Sequence, residues 1–332
     1  MRQTHRDVAC NVSMIIPTSR FYPSQKQAPS VRSTRSKTNN RRSVTAFYLT
    51  ISPWLVGFLA FTLLPILISL YASFTDWDLL SSPVWVGLDN YERMAADPKF
   101  WQSLKVTAIY TLIYVPLDLA GGLALALLVR PRLPGVKVIR TVLYLPVVFS
   151  GVAFVVVWMW LLNPEVGLVN QALKGLGIAG PRWLLDPNWS LPALLLMSFW
   201  GWGRSMVIFL SGLVAIPDSV YEAAAIDGAG KWARFWHITL PLLSPILFFN
   251  LILSVISTFQ TFTNAFVATN GGPLDSTLFL VLYIYRQAFE YRQMGYASAL
   301  AWVLFVIILI LTLLLVRSQR FWVFYLGSDV ED

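Results

Sequence analysis

Charge is what this sequence has least of: Asp, Glu, Lys and Arg together make up 13% of its 332 residues. A soluble domain keeps about a quarter of its residues charged, and burying a core does not require depletion along the whole chain. A bilayer does require it, because a charged side chain at its centre costs about 2.5–3.5 kcal/mol on the insertion scale. With 56% apolar residues and a mean hydropathy of +0.61, the shortage points to a polytopic membrane protein.

Cysteine and histidine are almost as scarce. Cys10 is the one cysteine, so no disulfide forms within the chain and no thiolate metal site is available. His5 and His237 are the two histidines, too few for a metal cluster or a nucleophile–base constellation. A phosphate-cradling loop of the form GxxxxGK[ST] is also missing, so ATP is not expected to be hydrolysed by this chain. No catalytic residue and no metal ligand is therefore expected. A membrane enzyme has nothing here to work with.

The net charge of +8 is unevenly spread. Nine of the 25 basic residues lie in the first 42 positions, in a stretch rich in Ser, Thr, Asn, Gln and Pro and without helical or strand period. Residues 1–45 read as a disordered basic tail held on the cytoplasmic side near anionic lipid. Nucleic-acid binding would need aromatic platforms or a basic stripe on a folded face, and neither is visible. Val12 to Ile16 is too short for the apolar core of a signal peptide, so no cleavable leader is expected.

Six segments hold the roughly 20 mostly apolar residues that a crossing needs: about 47–74, 103–129, 138–162, 191–216, 242–268 and 296–316. Pro65 interrupts the first, and Pro116 with Asp118 sits within the second, so kinks are expected at both places. The loops alternate in charge. Residues 75–102 carry Arg93 and Lys99 against five acids, whereas residues 130–137 carry three basic residues with Arg140 close behind. Both termini, a tail at 321–332 and the loop at 217–241 are then expected in the cytoplasm. Trp77, Trp85, Trp101, Trp183, Trp189 and Trp322 near the predicted ends suit the headgroup level.

The 217–241 loop predicts two short helices joined by a turn. Pro217 fits a first helical turn, Asp218 favours its positive end, and Glu222 to Ala225 are strong helix formers. Gly228 and Gly230 break the run. Lys231 to Ile238 brings Trp232, Phe235 and Trp236 at helical spacing, and Pro241 closes the loop. Small residues flanked by aromatics suit docking into a partner's groove, although an ordinary surface loop would look similar.

Here the sequence resembles a family. Glu222-Ala223-Ala224, then Gly228, then Ile238-x-Leu240-Pro241 is similar to the EAA loop of binding-protein-dependent ABC importer permeases. The resemblance implies the type I importer permease fold, all-α with about six transmembrane helices, in a bacterial inner membrane. It implies a loop seated in an ATP-binding subunit, two copies of that subunit using Mg-ATP, a second homologous permease subunit, and an extracytoplasmic solute-binding protein. Gly87-Leu88-Asp89-Asn90-Tyr91, Thr269-Asn270-Gly271-Gly272-Pro273 and Gly295-Tyr296-Ala297-Ser298-Ala299 resemble the carbohydrate-uptake permeases of the maltose, multiple-sugar and glycerol-3-phosphate type, MalF-like or UgpA-like. The large extra outer domain of the enterobacterial maltose permease is absent.

That resemblance implies a substrate path between two permeases near mid-membrane. Asn250, Ser254, Ser257, Thr261 and Asn264 follow three- and four-residue steps along one helical face, and amides such as Asn250, Gln260 and Asn264 suit sugar hydroxyls. Interhelical hydrogen bonding is the competing use. Asp118 and Arg204, the charges deepest in spans, are expected to pair, with an anionic substrate group as the alternative for Arg204. Gly271, Gly272 and Pro273 are expected to form an outer turn against the binding protein. An ion-coupled secondary carrier is the alternative function. Asp118 is its thin support, and it leaves the 217–241 loop without a role.

Overall fold

The computed structural model describes residues 37–130, 135–149 and 151–324. The chain divides into two compact units, residues 1–59 and 60–332. In the first, helix α1 (Lys37–Phe58) makes up nearly all of the described part. Residues 37–45 of the expected tail are the start of this helix. The rest of the tail lies outside the described residues, as do residues 325–332 of the C-terminal tail.

A π turn at Leu59–Leu63 stands just before α2 (Leu64–Ala72), where Pro65 has no N–H to return to the preceding turn. A short antiparallel pair, Thr75–Asp76 with Val84–Trp85, then leads to α3 (Asp89–Ala96). Asp97 caps the next helix by accepting from the Lys99 amide at 2.9 Å. That helix, α4 (Pro98–Val129), runs through Pro116 as one continuous α-helix. The segment expected as the third span is built of two helices, α5 (Val136–Val148) and α6 (Gly151–Leu161), meeting at 100°. Pro146 weakens the last turn of α5, and Phe149 takes an extended conformation that ends it.

Helix α7 (Leu168–Gly175) is a short connector. Helices α8 (Pro187–Ser198) and α9 (Trp202–Ala215) join through one 3₁₀ turn. After α10 (Asp218–Ile226) and α11 (Lys231–Arg234), a π turn at Phe235–Thr239 feeds α12 (Leu240–Phe259). The chain finishes with α13 (Thr263–Ala268), α14 (Leu280–Tyr285) and α15 (Met294–Ser318). Among the described residues five helices are long and apolar enough to cross a membrane, or six if α5 and α6 count as one span.

The central packing is α9 laid along α4, with α12 against both. Glycine permits it. A Cβ on Gly121 would lie 2.4 Å from the Trp202 ring and one on Gly122 2.5 Å from the Ser205 Cβ; where α9 also meets α5, one on Gly203 would lie 2.3 Å from the Leu143 carbonyl oxygen. Small residues at a helix contact let backbones approach where no hydrophobic effect drives association.

The short motifs at the α3 end fasten one segment, Ser73–Trp77. Asn90 Nδ2 donates to the Ser73 and Thr75 carbonyls at 3.0 and 2.9 Å, and the Tyr91 hydroxyl donates to Ser73 Oγ at 2.9 Å. From α15, the Gly295 amide donates to the Trp77 carbonyl at 3.1 Å. Tyr296 then donates to Asp97 Oδ2 at 2.7 Å, and Tyr283 donates to the same oxygen. Burial works against the Asp97 charge. The two tyrosine hydroxyls and the Lys99 and Phe100 amides outweigh it, and hold the carboxyl below its ordinary value.

A depressed carboxylate stabilises the fold above its unfolded pKa, and the contribution disappears as pH falls through the folded value. Replacing both Tyr283 and Tyr296 with Phe leaves the burial and removes the compensating donors. Stability at neutral pH is therefore expected to drop and the acid limb of a thermal-stability profile in detergent to flatten, because Asp97 then has less stabilisation to lose on acidification. An unchanged limb would show that the cluster does not tune Asp97.

Candidate functional site

Helix α10 begins at Pro217, which precedes the helix in extended conformation rather than occupying its first turn. Asp218 makes no side-chain cap and instead meets Arg130, Nη2 to Oδ1 at 3.9 Å. Three residues along the same face, the Tyr221 ring lies 4.5 Å beneath the Arg130 guanidinium, and its hydroxyl is 3.1 Å from Thr239 Oγ1. The loop is thus tied to the end of α4 and to the turn that leads into α12. A cleft of about 1000 Å³ lies on this side, bordered by Arg130, Asp218, Tyr221, Lys231, Arg234 and Phe235.

Away from these contacts most of α10 is bare. Glu222, Ala223 and Ala225 are exposed, Ala224 is half-buried, and Ile226 is 87% exposed. The helix stops in a Schellman turn, with the Gly228 amide donating to the Ala225 carbonyl at 3.2 Å and the Ala229 amide to Ala224 at 2.9 Å. Gly228 has φ +79° and open space around a would-be Cβ, so backbone conformation and not crowding demands glycine there. Beyond it, Trp232 and Trp236 are exposed while Phe235 is half-buried. Ile238, Leu240 and Pro241 are half-buried and belong to the continuous passage into α12. The sequence motif is therefore two things: an exposed small-residue knob and the stem that holds it.

Between α4, α12 and the first turn of α9 lies a polar cluster. Asp118 is 5% exposed and accepts from Ser205 Oγ at 2.8 Å, from Ser254 Oγ at 2.7 Å and from the Tyr114 hydroxyl at 3.4 Å. The expected Asp118–Arg204 ion pair does not form. The hydroxyls already supply the donors, and Ser205, one residue beyond Arg204, is the member of α9 that faces the carboxylate. Asn250, 3% exposed, has Nδ2 without a partner.

Two adjoining cavities open beside this cluster. One of about 20 Å³ is bordered by Asp118, Asn250 and Ser254, the other of about 220 Å³ by Tyr110, Trp200, Thr261 and Asn264. Both share Tyr114, Gly201, Arg204 and Ser257. Of the expected path residues, Asn250 and Asn264 border these cavities. Gln260 is exposed and borders neither. The single helical face is not continuous, because α12 ends at Phe259 and the chain turns before α13. The aromatic lining was not singled out from the sequence, where Tyr110, Tyr114 and Trp200 look like ordinary span residues.

Beyond α13, Asn270 and Gly271 take positive φ, and so do Leu274 and Asp275. Arg286 donates to the Asn270 carbonyl and meets Asp275 at 4.0 Å, and Thr277 Oγ1 donates to the Gly272 carbonyl at 2.7 Å. Gly271 is buried, Gly272 and Pro273 are half-buried, and the tip of the turn is Leu274, 87% exposed. No group of three or more His, Cys, Asp or Glu side chains among the described residues is placed to hold a metal ion.

Residues 119–323 match the family described as binding-protein-dependent transport system inner membrane component. The chain belongs to this family. It is a permease: a multi-pass, non-enzymatic subunit of a binding-protein-dependent ABC transporter. It is 46% identical over 294 residues to the probable ABC transporter permease protein YesP of Bacillus subtilis, covering 87% of this chain and 95% of YesP. It is 38% identical over 263 residues to the sulfoquinovosyl glycerol transport system permease protein SmoG of Agrobacterium fabrum, covering 77% and 84%. The fold matches a chain of the bacterial alginate ABC transporter crystallised with its alginate pentasaccharide-bound periplasmic protein. That match has a TM-score of 0.76 and 22% identity, and covers 85% of this permease and 96% of that chain.

Proposed function

We propose that this permease imports a sugar or sugar derivative, passing it between itself and a second, homologous permease subunit while two ATP-binding subunits consume Mg-ATP. The names of relatives such as SmoG support the substrate class. The observation that carries the coupling role is the exposure of α10 and its turn: an Ala- and Gly-rich knob, anchored by Asp218 and Tyr221 to Arg130, that a partner groove can approach closely. Glu222, Ala223, Ala224 and Gly228 form the docking surface, and Ile238, Leu240 and Pro241 form the stem.

The basic residues beside this end support a cytoplasmic position for it and for both termini. The opposite end then faces the solute-binding protein, with the Gly271–Gly272–Pro273 turn holding Leu274 forward as a contact. Asn250 and Asn264 line the substrate path and Gln260 lies at its margin.

Proteoliposomes containing both permeases and the ATP-binding subunits are expected to take up sugar only when ATP and the loaded binding protein are supplied. Uptake by this chain alone, driven by an ion gradient, would establish the secondary-carrier reading instead. Deleting the 271–273 turn is expected to abolish stimulation of ATP hydrolysis by the binding protein. Unchanged stimulation would remove the turn from the contact.

A further inference from the structure

Arg204 is in the wrong place for an ordinary structural arginine. It lies in α9, within the candidate span Pro187–Ala215 and eleven residues before its end. At 1.5 Å per residue that is about 16 Å of helix, deeper than an arginine stem can reach back to an interface. An unpaired charge at such depth is costly unless it faces water or a counter-charge. Among the described residues no carboxylate lies within ion-pair distance of its guanidinium, and no carbonyl or hydroxyl accepts from it. Asp118, the nearby acid, is occupied by Ser205, Ser254 and Tyr114.

The surroundings of Arg204 are those of a ligand chamber. It stands where the two cavities join, between rings (Tyr114 and Trp200) and hydroxyls (Ser257 and Thr261), with the unpartnered Asn250 Nδ2 bordering the smaller cavity. Aromatic faces pack against sugar C–H surfaces, hydroxyls and amides exchange hydrogen bonds with sugar hydroxyls, and a guanidinium fork matches a carboxylate, sulfonate, sulfate or phosphate. The glycine contacts fix the backbone from which Arg204 projects, since Gly203 rests on the Leu143 backbone and Gly122 on Ser205, while the side chain itself is exposed.

We propose that Arg204 reads a negatively charged group on the transported sugar, so that the path selects acidic carbohydrates over neutral ones. This rests on the importer reading given above.

The test uses the complete transporter with its binding protein in proteoliposomes and compares ATP-dependent uptake of three acidic sugars, digalacturonate, galactose 6-sulfate and glucose 6-phosphate, with neutral galactobiose. The expected result is uptake of at least one acidic sugar and its loss by at least tenfold in Arg204→Gln, with partial recovery in Arg204→Lys, which keeps the charge but not the fork. ATP-dependent uptake of galactobiose that Arg204→Gln leaves unchanged would overturn the proposal. So would failure of Arg204→Gln to assemble with the second permease, because the arginine would then be pairing across the subunit interface. Uptake that does not depend on ATP would instead count against the importer reading itself.

Discussion

Glu222→Ala is expected to leave the permease folded and inserted and to cut binding-protein-stimulated ATP hydrolysis by at least tenfold. Glu222 is exposed, and no hydrogen bond or ion pair to it is formed among the described residues. Alanine is the better helix former, so the intrinsic cost within this subunit lies within about 0.5 kcal/mol. Any large loss must then come from the partner's side of the contact. Gly228→Val should give the same functional loss by another route. A β-branched residue at φ +79° costs about 2 kcal/mol or more, so the Schellman turn opens and the knob loses its shape. Thermal melting and co-purification with the ATP-binding subunit separate the cases. Glu222→Ala should melt normally and co-purify poorly. Normal stimulation in both variants would remove the loop from the coupling role.

Gly295→Ala is expected to be the most damaging glycine-to-alanine change among the described residues. The added Cβ would sit 1.9 Å from the Thr75 carbonyl oxygen and 3.2 Å from the Trp77 amide nitrogen. Overpacking costs about 1–3 kcal/mol when side chains can move aside. Here the obstacle is backbone, and that backbone is already held by Asn90 and by the Gly295 amide itself. The expected outcome is loss of about 3 kcal/mol, read as a sharply lowered melting temperature or as little folded subunit after detergent extraction. Gly175→Ala, where nothing lies within 4 Å, is the matched control. A Gly295→Ala permease that melts with the wild type would show that Thr75 can move freely.

Much of this architecture was legible from depletion of charge and from apolar runs, because those two quantities set which helices are long and apolar enough to cross a bilayer. The bend between α5 and α6 was not legible, since hydropathy counts apolar residues and is blind to direction. The docking loop was readable because its signals are local: helix formers, then a glycine where the chain must adopt positive φ. The polar cluster was only half readable. Asp118 and Arg204 announced themselves as deep charges, but which serine faced which carboxylate depends on how α9 is rotated against α4. That rotation is limited by Gly121 and Gly122, residues whose meaning in the sequence is only that nothing is there. Likewise Arg130 looked like a topology signal, and its seat over Tyr221 joins positions too far apart in sequence for any periodicity to connect.

Arg130 also changes what kind of mechanical part α10 is. The helix is joined to α9 through Ile216 and Pro217, to α4 through Arg130, and to the stem of α12 through Tyr221 and Thr239. Those three helices pack against one another, so the supports form a triangle and not a line. A plate on two supports rocks; on three it stands. A push on α10 is then expected to be shared among the three helices that carry Asp118 and its serines rather than lost in tilting.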